Sequence, residues 1–439
     1  VTTASTSAPP RRAALVFIFV TVLIDILSFG IIIPVLPHLV EQLAGGGVAK
    51  AAMWVGVFGT LFAAIQFACA PIQGALSDRF GRRPVVLLSN LGIGIDFLFM
   101  ALVNTLPLLL VGRCISGMTA ASFTTANAYI ADVTPPEKRA GAFGMLGAAF
   151  GIGFVIGPAL GGFLGGINLR FPFYAAAGLA LANFLYGFFV LPESLPPEKR
   201  TERFDWSHAN PLGSLILLRR YRQVFGLAAV VLLTNLAHYV LQSVFVLYAD
   251  YRFNWGPQEV GYTLALVGVC NAFTQAWLVG KLVPRIGERR TLLAGLVFGA
   301  VGFATMALAP TPTIFLIGIP LLALWGIAGP STQALMTRQV DPREQGRLQG
   351  AVSSLASLAG IFGPAIFTQI FALFISDHAP MKFPGAPFLL SSLLLAAGWI
   401  LAYAVTRSLS RRYAGNAPAP ALVPSPTPVS DVPPPSNAS

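Results

Sequence analysis

Ala51 to Gln73 carries no charge, and Val85 to Val103 carries only Asp96. A helix needs about 20 apolar residues to cross the hydrocarbon core of a bilayer. Lipid offers no partner to open backbone groups, so runs of this length that span a membrane do so as helices. The eleven residues between them, G-A-L-S-D-R-F-G-R-R-P from Gly74 to Pro84, therefore have to turn at a membrane surface. Arg79, Arg82 and Arg83 assign that surface to the cytoplasm, where short loops collect Lys and Arg. Gly74 and Gly81 permit close approach and a sharp bend. Asp78 is placed to pair with the arginines or to face a helix N-terminus, whose dipole favours negative charge.

The pattern recurs. A shift of 206 residues carries Gly74, Arg79, Gly81 and Arg83 onto Gly280, Arg285, Gly287 and Arg289, with Pro284 replacing Asp78 and Glu288 replacing Arg82. The same shift carries Gly144 onto Gly350, and Gly157-Pro158 onto Gly363-Pro364. Three landmarks at one offset indicate an internal duplication. Parallel repeats of this size build one large class of transporters, with the substrate site between the halves.

Apolar residues make up 55% of the 439 and charged residues 10%, which excludes an ordinary soluble chain at about 25% charged. A net charge of +11 in a soluble protein would suggest nucleic acid. Here 23 of the 28 Lys and Arg fall in the termini and loops of one side, and only Lys50, Arg170, Arg252 and Lys382 on the other. The excess is therefore the positive-inside bias, and no nucleic-acid partner is expected. Cys69, Cys114 and Cys270 all lie within apolar runs, so neither a metal centre nor a disulfide framework is implied.

The spans read 13–37, 51–76, 85–103, 107–131, 140–164 and 172–191, then 223–248, 259–283, 291–309, 313–337, 347–376 and 387–406. The expected fold is an all-α integral membrane protein with twelve transmembrane helices in two six-helix bundles. The bundles occupy 13–191 and 223–406, joined by a cytoplasmic linker at 192–222. The Ser/Thr/Pro-rich start, 1–12, and the Pro/Ala/Ser-rich tail, 407–439, are expected to be disordered and cytoplasmic.

Asp25, Asp96 and Arg113 stand inside spans, where each charge costs about 2.5–3.5 kcal/mol at the bilayer centre. Such residues face an aqueous cavity or a partner and mark a pathway. Gln66, Asn127, His238, Gln242, Asn271 and Gln275 are candidates for a cavity wall, each equally able to make an interhelical hydrogen bond. Gly153, Gly157 and Gly161 recur every four residues and form a ridge for close helix packing, which Pro158 should kink.

At these residues the chain resembles the major facilitator superfamily, and within it the tetracycline efflux branch, over about residues 13–405. Gly74 to Pro84 is similar to the superfamily's loop 2–3 signature, Arg113 with Gly117 to its helix 4 motif, and Gly153 to Gly162 to the helix 5 motif of antiporters. Branch-level similarity comes from D-I-L-S-F-G-I-I-I-P-V-L-P at Asp25, A-Y-I-A-D-V-T at Asp132 and F-V-L-P-E-S at 189–194. The resemblance implies that Asp25 and Asp96 handle substrate and protons, with Arg113 tuning one of them. The branch carries His and Asp where this chain has Asn271 and Gly299, which leaves the exported molecule open.

The expectation is a secondary transporter of a bacterial cytoplasmic membrane, both termini cytoplasmic, acting as a monomer. It would exchange protons for an amphipathic small molecule by alternating access. A proton symporter or facilitator for a metabolite is the alternative, and a non-transporting receptor a more distant one. An enzyme is not expected, and no cofactor: there is no nucleophile triad, metal-spaced cluster or phosphate loop.

Overall fold

The computed structural model describes residues 11–120, 122–135, 138–201, 222–341, 344–377, 379 and 381–415. Most of the expected linker and the outer parts of both tails lie outside them. Among the described residues the chain is helical throughout, with eleven helices long and apolar enough to cross a membrane. The expected fourth span is carried by two successive helices, α5 (Leu106–Thr119) and α6 (Ser122–Val133).

The expected first span runs further than 37 and is broken. α1 (Arg11–Ile32) ends before Pro34, and α2 (Leu36–Ala44) resumes at once. Proline cannot donate to the helix ladder and its ring crowds the preceding turn, so the chain restarts one turn on. The seventh span also breaks, with no proline at the break, into α9 (Arg222–Ser243) and α10 (Phe245–Phe253), which closes on Asn254 in the left-handed region, φ 55°. Between these lie α3 (Gly47–Phe80), α4 (Arg82–Leu102), α7 (Arg139–Ile167) and α8 (Phe171–Val190). After α10 come α11 (Pro257–Phe273), a π-helical turn at Thr274–Leu278, α12 (Val279–Ile286) and α13 (Glu288–Leu308). α14 (Pro312–Trp325), α15 (Ala328–Thr337), α16 (Gln345–Ile375) and α17 (Ala386–Gly415) complete the fold. α17 thus extends nine residues into the stretch expected to be tail.

The eleven-residue hinge is corrected to a single residue. Helix α3 continues through Gly74 to Phe80, and only Gly81, at φ 103°, reverses the chain before α4. The duplicate turn uses Gly287 in the same way, at φ 82°. A β-carbon is strained at either φ, which is why glycine stands at both.

α1 packs on α7 and α8, and α4 on α8, to form the first bundle; α9 packs on α16 and α17, and α13 on α17, to form the second. The bundles meet along two helix pairs, α7 with α11 and α3 with α16. Leu88, Phe189 and Ile400 point outward with most of their surface free, as acyl-chain-facing residues do.

The small-residue ridge of α7 faces α1. A β-carbon on Gly157 would sit 2.9 Å from Cα of Gly30, and one on Gly153 would run into Ile26. The opposite side of the same helix serves the other bundle: a β-carbon on Gly261 of α11 would lie 2.7 Å from Cα of Gly162. On α3, Gly59 leaves room for Pro364 of α16, where a β-carbon would meet Cβ at 2.8 Å. These cross-bundle approaches concentrate at the ends of the helices remote from Gly81 and Gly287. Toward the basic turns, Gly144 and Gly147 of α7 have nothing within 4 Å of a β-carbon. The bundles are closed against each other at the face away from the basic turns and part toward the face that carries them.

Gly157→Val should therefore lower thermal stability by about 1–3 kcal/mol, the usual cost of forcing atoms into a packed contact. Gly147→Val should leave the melting temperature in detergent nearly unchanged, and equal melting of the two variants would refute the ridge contact.

Candidate functional site: an acid–amide centre in the first bundle and two charged turns

Asp25 lies two-thirds of the way along α1, half-buried, and takes hydrogen-bond donors from neighbouring helices. Asn183 of α8 supplies one, its Nδ2 donating to Oδ1 of Asp25 at 2.8 Å and to the carbonyl of Thr21 at 2.9 Å. Asn90 of α4 completes the group. With its amide oriented to satisfy both neighbours, its nitrogen lies 3.2 Å from each Asp25 oxygen, and its oxygen accepts from Asn183 at 3.1 Å. Both asparagines are fully buried. Three helices thus converge on one carboxylate through amide donors, which stabilise its charge while leaving it able to take a proton. Asn90 in S-N-L and Asn183 in L-A-N-F are the lone amides of their apolar runs, which is the signal the sequence carries for them.

Asp96 and Arg113 form a separate centre between α4 and α5. Asp96 is fully buried and accepts a hydrogen bond from Ser116. Arg113 is close enough to act on it electrostatically and lays its guanidinium over the Phe62 ring of α3, 4.5 Å from the centroid. Such a contact offsets part of the cost of a buried cation. The three charges predicted to work together are thus divided between two places in the same bundle.

The cavity candidates sort by exposure. His238 and Gln242 of α9, Asn271 of α11 and Gln275 of the π-turn are exposed, while Gln66 and Asn127 are half-buried. Gln275 donates to the carbonyl of Gly326 at 3.2 Å, and the His238 ring stands 5.8 Å from Trp325. Trp325 also accounts for Gly299: a β-carbon there would fall 2.8 Å from the indole and run into Leu395. The space that an acid at position 299 would need is filled by tryptophan.

At the basic turn, Arg82 is the hub. Its guanidinium meets Asp78 at 2.6 Å and Asp132 of α6 at 3.0 Å, and donates to Ser77 at 3.0 Å, while its backbone N–H donates to Glu193 at 2.9 Å. Arg83 donates to the carbonyl of Phe188 at 2.5 Å, and Arg79 lies over Phe80. All of these partners belong to the first bundle or to the strand of chain leaving it. In the second bundle Glu288 pairs with Arg338 at 2.7 Å. These positions are Arg82 and Asp132 shifted by 206, so the ion pair recurs with its signs exchanged. Arg289 bonds Thr406 at 3.1 Å on α17, as Arg83 does on α8.

The family model of the Major Facilitator Superfamily matches residues 18–364 and 227–428. The chain belongs to this superfamily, whose members are transporters and not enzymes. Tetracycline resistance protein, class C, of Escherichia coli is 40% identical over 359 residues, covering 82% of this chain and 90% of that protein. Class H of Pasteurella multocida is 32% identical over 90% of this chain and 96% of that protein. Multidrug resistance protein 2 of Bacillus subtilis (strain 168) is 29% identical over 85% and 92%. Among solved structures, a bacterial homolog of the human lysosomal transporter Spinster, inward-facing and unoccupied, superposes with a TM-score of 0.73 at 16% identity, covering 92% of this chain and 98% of that one. The human organic anion transporter MFSD10 (TETRAN) gives 0.66 at 24% identity, over 90% and 100%.

Arg82→Ala removes the shared cation from two partly exposed carboxylates and a hydroxyl and should cost about 1–3 kcal/mol. Loss of the more exposed Glu288–Arg338 pair in Glu288→Ala should cost about 1 kcal/mol or less. Thermal melts of the two variants in one detergent check the difference.

Proposed function

We infer that the protein is a proton-coupled exporter of amphipathic drug-like molecules in a bacterial cytoplasmic membrane, working by alternating access as a monomer with both termini cytoplasmic. The observation that carries the reading is the acid–amide centre at Asp25. A carboxylate deep in a membrane protein, held by two asparagines yet still half-exposed, can exchange protons with the space between the bundles. Drug export rests on the likeness to tetracycline and multidrug resistance proteins over most of the chain.

The chemistry follows from the charge of that one group. In a state open to the outside, Asp25 takes up a proton and the centre becomes neutral. In the state open toward the basic turns it gives the proton up as the solute binds. A carboxylate that serves either proton or solute makes the two fluxes opposite in direction. Asp96, sealed beside Ser116 and Arg113, supports this from within the bundle by setting how α4 and α5 sit. The second bundle contributes wall groups, His238, Gln242, Asn271 and Gln275. Tetracycline itself is compatible with this frame, but Trp325 over Gly299 gives the second bundle a more apolar wall than an acid would, which favours solutes with a large flat apolar face.

Asp25→Asn should yield a folded carrier in which substrate-induced proton release from vesicles falls to background, and Asp96→Asn one in which it is weakened. Undiminished release from the double variant would remove both acids from the mechanism. Asp78→Asn should insert normally but transport poorly, because Arg82 loses its shortest ion pair; full drug flux in a well-expressed variant would exclude a role for the turn.

A further inference from the structure

At the closed face, opposite the basic turns, one cluster of side chains belongs to no part of this mechanism. His38 and Glu41 stand one turn apart on α2, and Asp250 approaches them from α10 of the other bundle. An imidazole nitrogen and one oxygen from each carboxylate all lie within 4.8 Å of one another. The Nε2 atom of His38 is buried and has no hydrogen-bond partner. Among the described residues no Lys or Arg forms an ion pair with Glu41 or Asp250. Nearby Glu259 adds further negative charge, and its carboxylate is engaged by the backbone N–H of Gly256 at 2.9 Å. Lys50, the nearest base in sequence to Glu41, is spent on the carbonyls of Ala44 and Gly45 at 2.8 and 3.1 Å.

Glu41 and Asp250 are hydrogen-bonded to each other, and two carboxylates brought together from opposite bundles stay together only through a shared proton or a cation between them. We propose that His38, Glu41 and Asp250 form a binding site for a borderline transition-metal dication such as Zn²⁺, which ties α2 to α10 and holds this face shut. One nitrogen and two oxygens form a donor set that zinc accepts, with remaining positions left to water. Ligand atoms around a tetrahedral zinc stand about 3.4 Å apart, given bonds of about 2.0–2.2 Å. The atoms here need to close by little more than an ångström, within the reach of Glu and Asp rotamers. The site exists only while α2 and α10 are adjacent, so the metal binds one conformation and shifts the population toward it. Carrier with the metal bound would be held open to the basic-turn side and could not complete a cycle.

The test needs no transported solute, so its failure would leave the export reading untouched. Zn²⁺ is titrated calorimetrically into the metal-free, full-length carrier in lipid nanodiscs at neutral pH. Binding at one site per chain is expected, retained in His238→Ala. In His38→Ala, Glu41→Gln and Asp250→Asn the affinity should fall by more than the roughly 10–100-fold that an outer-shell change produces. In parallel, with Cys69, Cys114 and Cys270 replaced by Ser, spin labels on Gln42→Cys and Gln258→Cys report the separation of the two bundles. Zn²⁺ should gather the distances into the short population in the parent and not when His38→Ala is added. Equal Zn²⁺ affinity in the parent and His38→Ala would overturn the site. So would a distance distribution that responds to pH alone, which would assign the cluster to proton exchange.

Discussion

The structure depends on how closely backbones can approach in a solvent that offers no hydrophobic drive between helices. Between two helices in lipid, association rests on van der Waals packing, and small residues decide how much of it is available. Helix α7 uses that freedom on two sides at once. Gly153, Gly157 and Gly161 seat it on α1, and Gly162 seats it on α11 of the other bundle. It is therefore both a strut within the first bundle and half of the contact between bundles. The pair α3 and α16 repeats this with Gly56 and Gly59 beneath Thr368 and Pro364. Such seams bring backbones and short side chains into direct contact across the two bundles.

Against that apolar frame the charged groups are few, and several of them brace helix ends. Arg170 donates to the end of α4 at the carbonyl of Ala101, 2.6 Å away, and to Asn104, and so fastens a short connection on the closed face. Arg82 does the equivalent work on the opposite face with four partners. Asp25 differs from both in taking neutral amides, Asn90 and Asn183, among its partners. Neutral donors fix the position of a carboxylate without fixing its charge, which separates a group suited to proton exchange from one suited to bracing.

Much of this was legible in the sequence because bilayer thickness forces long apolar runs and translocation forces charge to one side. The repeated pattern was legible through its glycines, and of these the pair at Gly81 and Gly287 stands where the backbone has positive φ. Helix ends were less so: Pro34 announces a break, but its counterpart between Ser243 and Phe245 has no proline to mark it. The extent of the basic hinge was misread, because Gly74 looks like a turn residue and only its helical neighbours show otherwise. The asparagines around Asp25 were missed for a different reason. Their significance lies in three helices meeting, and no spacing along one helix reports that. The likeness to tetracycline pumps pointed to Gly299 as a departure, but only the packing of Trp325 explains it.

The exchanged signs of the two ion pairs have a consequence for how the molecule is made. The bundles are similar enough that, as they emerge in turn from the ribosome, a helix end of one could dock on the turn of the other. In such a mismatch Arg82 would meet Arg338, and Asp132 would meet Glu288. Like charges at that distance repel where the proper partners attract, and the discrimination counts both terms. Inverting one pair therefore biases each helix end toward the turn of its own bundle.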